Sequence, residues 1–294
     1  MLRSLTVRIV IMRFTRALKL LALCSLSLVS IDARAELTPQ QAPRNAQQEI
    51  PFYLPISKAQ FPELISQLEI ALSDAGLSHL KLATTDYWHP YQNGIRQGRL
   101  GIYLAAPHFT SWLIHKYDFK PKLKLAGPLR YVIAARRADT NIFEVNDLAN
   151  KTVCIDATMN LSFLLVKELM PNSVLSPKTI RVESVAEKMR LDDRRCDAFS
   201  LNEHLFLMLA ADQPFKFISL KQSDEFSNYA YVVHPDVSQQ TNAALTKLLT
   251  NNAVAKILRP MHQLLAAEPR IVRAKANHYP QLTMSPLQKY WGDD

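Results

Sequence analysis

"GRLGIYLAAPHFTSWLI" (residues 98–114) decides the fold. Leu100–Ala105 is apolar and short, which suits a buried strand. Pro107 then ends it, because proline lacks an N–H for a ladder and its fixed φ suits the first position of a helix. Phe109, Trp112 and Leu113 follow at helical spacing, with His108, Thr110 and Ser111 in the same first turn. A helix start leaves up to four backbone N–H groups without intrahelical partners and carries about half a positive charge. Placed at the end of a parallel strand, it faces the crevice in which α/β proteins hold ligands. The stretch therefore predicts an α/β protein with a candidate site at His108, Phe109, Thr110 and Ser111.

Outward from this stretch, strands and helices alternate. "EIPFYLP", "HLKLATT" and "KLKLAG" read as strands, and "PELISQLEIALSDAGL" reads as a helix with Leu64, Leu68 and Leu72 on one face and Gly76 at its C-terminus. "DYWHPYQNGIRQG" is a second helix, opened by Asp86. After "RYVIAAR" the pattern repeats: "KTVCID", "TIRVES", "CDAFSL", "FKFISL" and "NYAYVV" are strands, with helices at "NLSFLLVKELM", "VAEKMRLDD" and "NEHLFLMLA". From Ser238 the chain reads as mainly helical. Alternation of this kind predicts parallel-rich sheets covered by helices. Two blocks predict two lobes: residues 36–133 with 229–294, and residues 134–228. The chain would cross between them near 130–137 and near 228–233, making a hinge beside a cleft.

The layout and four phrases resemble the substrate-binding proteins of ABC transporters in the phosphate, phosphite and phosphonate group. Gly98–Pro107 is similar to that group's Gly-x-Leu/Ile-Asp-Val-Ala-x-x-Gly-Pro, with Gly101 in place of the aspartate. "GPLRYVIAARR" resembles its crossing strand, "VNDLANKTVC" the phrase that opens its second lobe, and "RRCDAFSLNEHL" its Gly-x-x-Asp-Ala segment. The resemblance implies a type II periplasmic-binding-protein fold, each lobe a mixed, mostly parallel sheet flanked by helices, joined by two crossings. It also implies capture of a small polar or anionic solute for an ABC permease. The group typically carries Ser-Thr-Ser-Gly at the second-lobe helix start, where Asn160-Leu161-Ser162-Phe163 stands here, with Asp156 nearby to disfavour a doubly charged phosphonate. Thr158, Asn160, Ser162, Ser200 and Asn202 are the expected contacts from the second lobe, and Tyr53 and Trp88 the aromatic walls. Each has a plainer reading: Asn202 and His108 as helix caps, Tyr229 and Tyr231 as strand packing beside the hinge.

The totals agree with an exported binding protein. The 294 residues are 48% hydrophobic and 21% charged, an ordinary globular balance. Of the net charge of +9, residues 1–35 supply +5, from six cations against Asp32. The later cations alternate with acids, which argues against a nucleic-acid stripe. Arg13, Arg16 and Lys19, an apolar run from Leu20 to Ile31, and Ala33-Arg34-Ala35 together read as a signal peptide cleaved after Ala35. The run is short of the roughly 20 residues that span a bilayer. An uncleaved anchor, a start at Met12 and a lipid on Cys24 are the alternatives. The mature chain keeps Cys154 and Cys196, which in an oxidising compartment form either a disulfide or two buried thiols. The sequence holds no Gly-x-Ser-x-Gly, HExxH, phosphate loop or GxGxxG, and no metal-type His or Cys spacing, so neither an enzyme nor a cofactor is expected. A monomer is the default. A sensor that reports to a membrane kinase, or an accessory to a membrane complex, is the second reading.

Overall fold

Leu64, Ile65, Leu68 and Leu72 share one buried face of the first helix, whose first residue is Pro62 and whose end is turned by Gly76 at φ 71°. Parts of that pattern recur, as in the helix that starts with Pro107 and the left-handed Gly98 after the second helix, in a computed structural model that describes residues 48–85, 88–139, 141–156, 160–169, 177–182 and 184–291. The expected signal peptide, Met12, Cys24, the Asp86 cap, Thr158 and the Trp88 side chain lie outside the described residues. In chain order the elements are β1 (Ile50–Leu54), α1 (Pro62–Asp74), β2 (Leu80–Thr84), α2 (Trp88–Arg96), β3 (Ile102–Ala105), α3 (Pro107–Tyr117), β4 (Lys120–Ala126), β5 (Pro128–Leu129) and β6 (Tyr131–Arg136). Then come β7 (Thr152–Ile155), α4 (Leu161–Leu169), β8 (Lys178–Arg181), α5 (Val185–Arg190), β9 (Ala198–Asn202), α6 (Glu203–Asp212) and β10 (Phe217–Gln222). β11 (Phe226–Ser227), β12 (Ala230–Val233), α7 (Gln239–Leu249), α8 (Asn252–Leu265), β13 (Glu268–Arg273) and α9 (Ser285–Trp291) complete the chain.

The strands form a six-stranded sheet ordered β13-β4-β12-β3-β1-β2 and a five-stranded sheet ordered β10-β6-β9-β7-β8. β5 and β11 pair with each other in a short antiparallel ribbon. The helix-linked strands are parallel, as the alternation requires: β1 with β2 and β3, β7 with β8 and β9. The remaining pairs are antiparallel. The sheets are thus more mixed than the alternation suggested. The reason lies in β6 and β12, which enter each sheet from the crossings and so run against their neighbours. The change of sheet falls at 127–130, and β6 pairs within the second sheet from Tyr131 onward.

β3 shows why both faces of the first sheet are covered. All four of its residues are buried; Ile102 and Leu104 join the cluster under α1 and α8, while Tyr103 and Ala105 join the one under α2 and α3. Each fully buried Leu or Phe contributes roughly 1.5–3 kcal/mol. Gly98, at φ 58°, leaves space for the Tyr117 ring, which a Cβ would approach to 2.3 Å. β13 is the one sizeable strand in the stretch read as helical. Its Pro269 and three charged residues mask Ile271 and Val272, which pair with Leu125 and Lys124 of β4 at the sheet edge.

Candidate functional site: two facing helix starts beside paired crossings

The strand β3 delivers α3, and the strand β7 delivers α4, so each sheet ends in a helix start. Residues 107–113 are all buried. Thr110 Oγ1 donates to the Ala105 carbonyl (3.0 Å) and Ser111 Oγ donates to the Pro280 carbonyl (2.8 Å). The Phe109 ring meets Tyr91 edge-on (6.1 Å) and stacks on Trp291 (5.9 Å), and the His108 ring lies 4.0 Å from it. Trp112 meets Trp291 edge-on at 4.7 Å. Both hydroxyls singled out in the sequence are therefore spent on the protein's own carbonyls.

On the second sheet, Asn160 Oδ1 accepts from the Phe163 N–H (2.9 Å) and from Ser162 Oγ (2.6 Å), making Asn160 the cap of α4. Ser200 Oγ on β9 donates to the Ser162 carbonyl (2.9 Å). The structure so brings Asn160, Ser162 and Ser200 into one hydrogen-bonded chain at the α4 start. Asn202 stands apart: its Oδ1 caps α6 through His204 N–H (2.8 Å), and its Nδ2 donates to Leu265 O at the end of α8 (2.9 Å). Tyr53 is half-buried and stacks on Tyr103 (4.6 Å between centroids, 9° between planes). The two helix starts meet through apolar side chains. Ile155, Phe163 and Leu164 share a buried cluster with Ala106 and Phe109, and Met284 and Leu287 belong to it.

Three polar residues between the sheets had weaker sequence signals. Asp156 ends β7, and its Oδ1 accepts from the Val185 N–H at the start of α5 (2.8 Å). Burial raises its carboxyl to about 6, against the lowering effect of that N–H. Tyr131 opens β6 and Tyr229 precedes β12; their hydroxyls are 3.4 Å apart, joining the outward and the return crossing. Burial holds both phenols above their usual range, and the Asp156 charge adds to the effect. Both hydroxyls are thus neutral at pH 7, one donating to the other. A tyrosine at the mouth of each crossing and an acid at a strand end were the available signals. Next to them lies a cavity of about 500 Å³ whose walls include Tyr131, Leu161, Glu168, Ser223, Phe226 and Pro280. Among the described residues no group of three or more His, Cys, Asp or Glu is placed to hold a metal, and no helix is long and apolar enough to cross a membrane.

Two mixed sheets whose parallel strands feed opposed helix starts, connected by two paired crossings, define a periplasmic-binding-protein fold of type II. The family of periplasmic substrate-binding proteins of phosphonate ABC transporters matches residues 50–269, and the chain belongs to that family. It is a substrate-binding protein, not an enzyme. The fold is also that of solved structures at low identity. PhnD1 from Prochlorococcus marinus, in complex with methylphosphonate, is 12% identical with a TM-score of 0.62, over 83% of this chain and 98% of that one. A binding protein component of a phosphonate ABC transporter from Pseudomonas aeruginosa is 13% identical with a TM-score of 0.61, over 83% and 85%. XAC2383 from Xanthomonas citri, bound to ATP, is 13% identical with a TM-score of 0.61, over 83% and 98%. No curated protein sequence matches.

Proposed function

We propose that the protein is exported, loses residues 1–35, and works as a monomer in the periplasm. There its two lobes close on a small solute and present it to an ABC permease. The observation that carries this reading is the β5/β11 ribbon, in which Leu129 and Pro128 of the outward crossing pair with Phe226 and Ser227 of the return crossing. Two adjacent crossings between two sheets concentrate bending in a few residues while each sheet stays rigid. A solute gripped from both sides binds the closed state better than the open one, which is the differential affinity that closure requires.

The solute would lie between the α3 and α4 starts and the Tyr131–Tyr229 pair. Thr110, Ser111, Ser162 and Ser200 already donate within the protein. The carboxyl of Asp156, by contrast, accepts among the described residues from the backbone N–H of Val185. This supports a solute that brings a positive or hydrogen-bond-donating group to Asp156, such as an aminoalkyl phosphonate, in preference to a bare dianion. A thermal-shift screen with phosphate, methylphosphonate, aminomethylphosphonate, amino acids, sulfonates and vitamins tests it. A solute at a hundredfold over its Kd stabilises by about 2.7 kcal/mol. The amino-bearing compounds should give the larger rise, and Asp156→Ala should abolish the difference. A rise with phosphate alone would defeat the ligand assignment. Mass analysis of the exported protein should find Glu36 at its N-terminus.

A further inference from the structure

After β13 the chain runs through two short 3-10 turns, Ala276–His278 and Gln281–Met284, into α9. This segment is built in: Tyr279, Met284 and Leu287 are at most 1% exposed. On the first-sheet side, α3 grips its main chain. Ser111 Oγ donates to Pro280 O (2.8 Å), and His115 Nε2 donates to Tyr279 O (3.0 Å). Trp291 packs on Phe109 and Trp112, and its carbonyl accepts from Arg96 of α2 (2.8 Å). At the return crossing, the Tyr279 hydroxyl donates to Asn228 O (2.7 Å). On the second-sheet side, Tyr290 meets Phe163 of α4 edge-on at 5.8 Å, and Lys289 lies near Glu168.

We propose that Lys275–Trp291 is an internal strap that holds the two lobes together without solute, so that a solute enters only when the strap releases α4. The inference rests on the two-lobe reading above. The asymmetry of the contacts names the point of release. Contacts to α2, α3 and the return crossing combine hydrogen bonds to main-chain carbonyls with the Trp291 ring contacts, whereas those to α4 are a ring edge, apolar side chains and the nearby charges of Lys289 and Glu168. Opening therefore leaves the strap on the first lobe and peels it from α4. The strap also slows capture, because a solute enters only through the open fraction before the lobes close on it. Removing the α4 contacts raises that fraction.

Spin labels at Glu69→Cys and Arg190→Cys, both exposed and one on each side, read the spacing of the lobes in the full chain with its native disulfide. Solute-free parent should give one short distance. The double variant Lys289→Ala/Tyr290→Ala should raise the share of a longer distance at least threefold, and Trp291→Ala should do so by a smaller factor. All of these positions are at least partly exposed, so a native melting transition is expected in each variant. A further protein carries both substitutions and Gly-Gly insertions after Gly127 and after Asp224. If those insertions lengthen the distance while the strap substitutions alone do not, the strap is overturned and the two-lobe reading stands. If nothing lengthens it, both fall.

Discussion

The two sheets are held together by different means. The first rests mainly on apolar packing: Phe52, Leu54, Leu68, Leu104 and Leu258 fill one side, and Tyr103, Phe109 and Trp112 the other. The second spans only Tyr131–Gln222, about 90 residues, and a small body buries a smaller share of its surface. It adds cross-links. Cys154 of β7 is bridged to Cys196 just before β9. Arg136, 3% exposed, donates to Asp192 and Asp139, to the carbonyls of Cys196 (2.7 Å) and Asp193 (2.6 Å), and lies over the Phe199 ring. A lobe too small to be secured by its core alone adds covalent and ionic ties, and those of Cys154, Cys196 and Arg136 lie away from the start of α4. The end that meets the first lobe holds no covalent tie among the described residues; apolar contacts, hydroxyls and the partly exposed Arg130 pairs with Glu203 and Glu225 meet there, and these can part and re-form.

That contrast breaks most visibly at the disulfide. Closing a loop of 42 positions is worth about 4 kcal/mol in the chain-entropy model. Cys154→Ser with Cys196→Ser should split denaturant unfolding into two steps, the second lobe first, followed by labelling lobe-specific thiols or by amide exchange. A single unchanged transition would mean that the bridge does not bear on stability. Next in size is Arg136→Met, with an expected loss of about 3 kcal/mol, because the buried Cys196 carbonyl, the part-buried Asp193 carbonyl and two acids lose their shared partner. Arg136→Lys should recover little, since one ammonium cannot replace a planar fork with four acceptors. Lys81→Ala on the first sheet, which removes an exposed pair with Glu49, should change stability by less than about 0.5 kcal/mol.

The same contrast explains what could be read in the sequence. The parallel strands and their helices were legible because a sheet covered on both faces gives short continuous apolar strands, as in Ile102–Ala105, and a buried stripe on helices, as in Leu64–Leu72. β13 was not, because an edge strand needs no alternation of apolar residues and this one carries a proline. The candidate site was legible only as a place. The helix starts at Pro107 and Leu161 are where strand-to-helix order puts them. Whether Ser111 faces a ligand or Pro280 depends on a segment 169 residues later. No local pattern carries that. Tyr131 and Tyr229, almost a hundred residues apart, meet only because both crossings run through the same ribbon.

The net pH effect in the parent should also be small, because here two larger effects, one in each lobe, oppose each other. His262 of α8 is buried under the first sheet, its Nε2 accepting from Tyr231 Oη (2.8 Å) and its ring also bonded to the Pro269 carbonyl. Burial lowers it to about 4 from 6.5, so the unfolded chain binds the proton more tightly and stability falls as pH drops from 6.5 through 4. Asp156 in the second lobe is raised from 3.8 to about 6. There the folded chain binds the proton more tightly, so stability falls as pH rises from 4 through 6. The two slopes overlap and largely cancel, which predicts a flat melting temperature between pH 4 and 6 in the parent. Asp156→Asn keeps an acceptor for the Val185 N–H but cannot ionise, so it should expose the acid-side fall and melt higher than the parent at pH 7. His262→Gln keeps partners for Tyr231 and Pro269, and should expose the opposite slope, melting higher at pH 4 than at pH 6. Melting curves of all three proteins at half-unit pH steps decide the matter. Parallel curves would show that neither group titrates with folding.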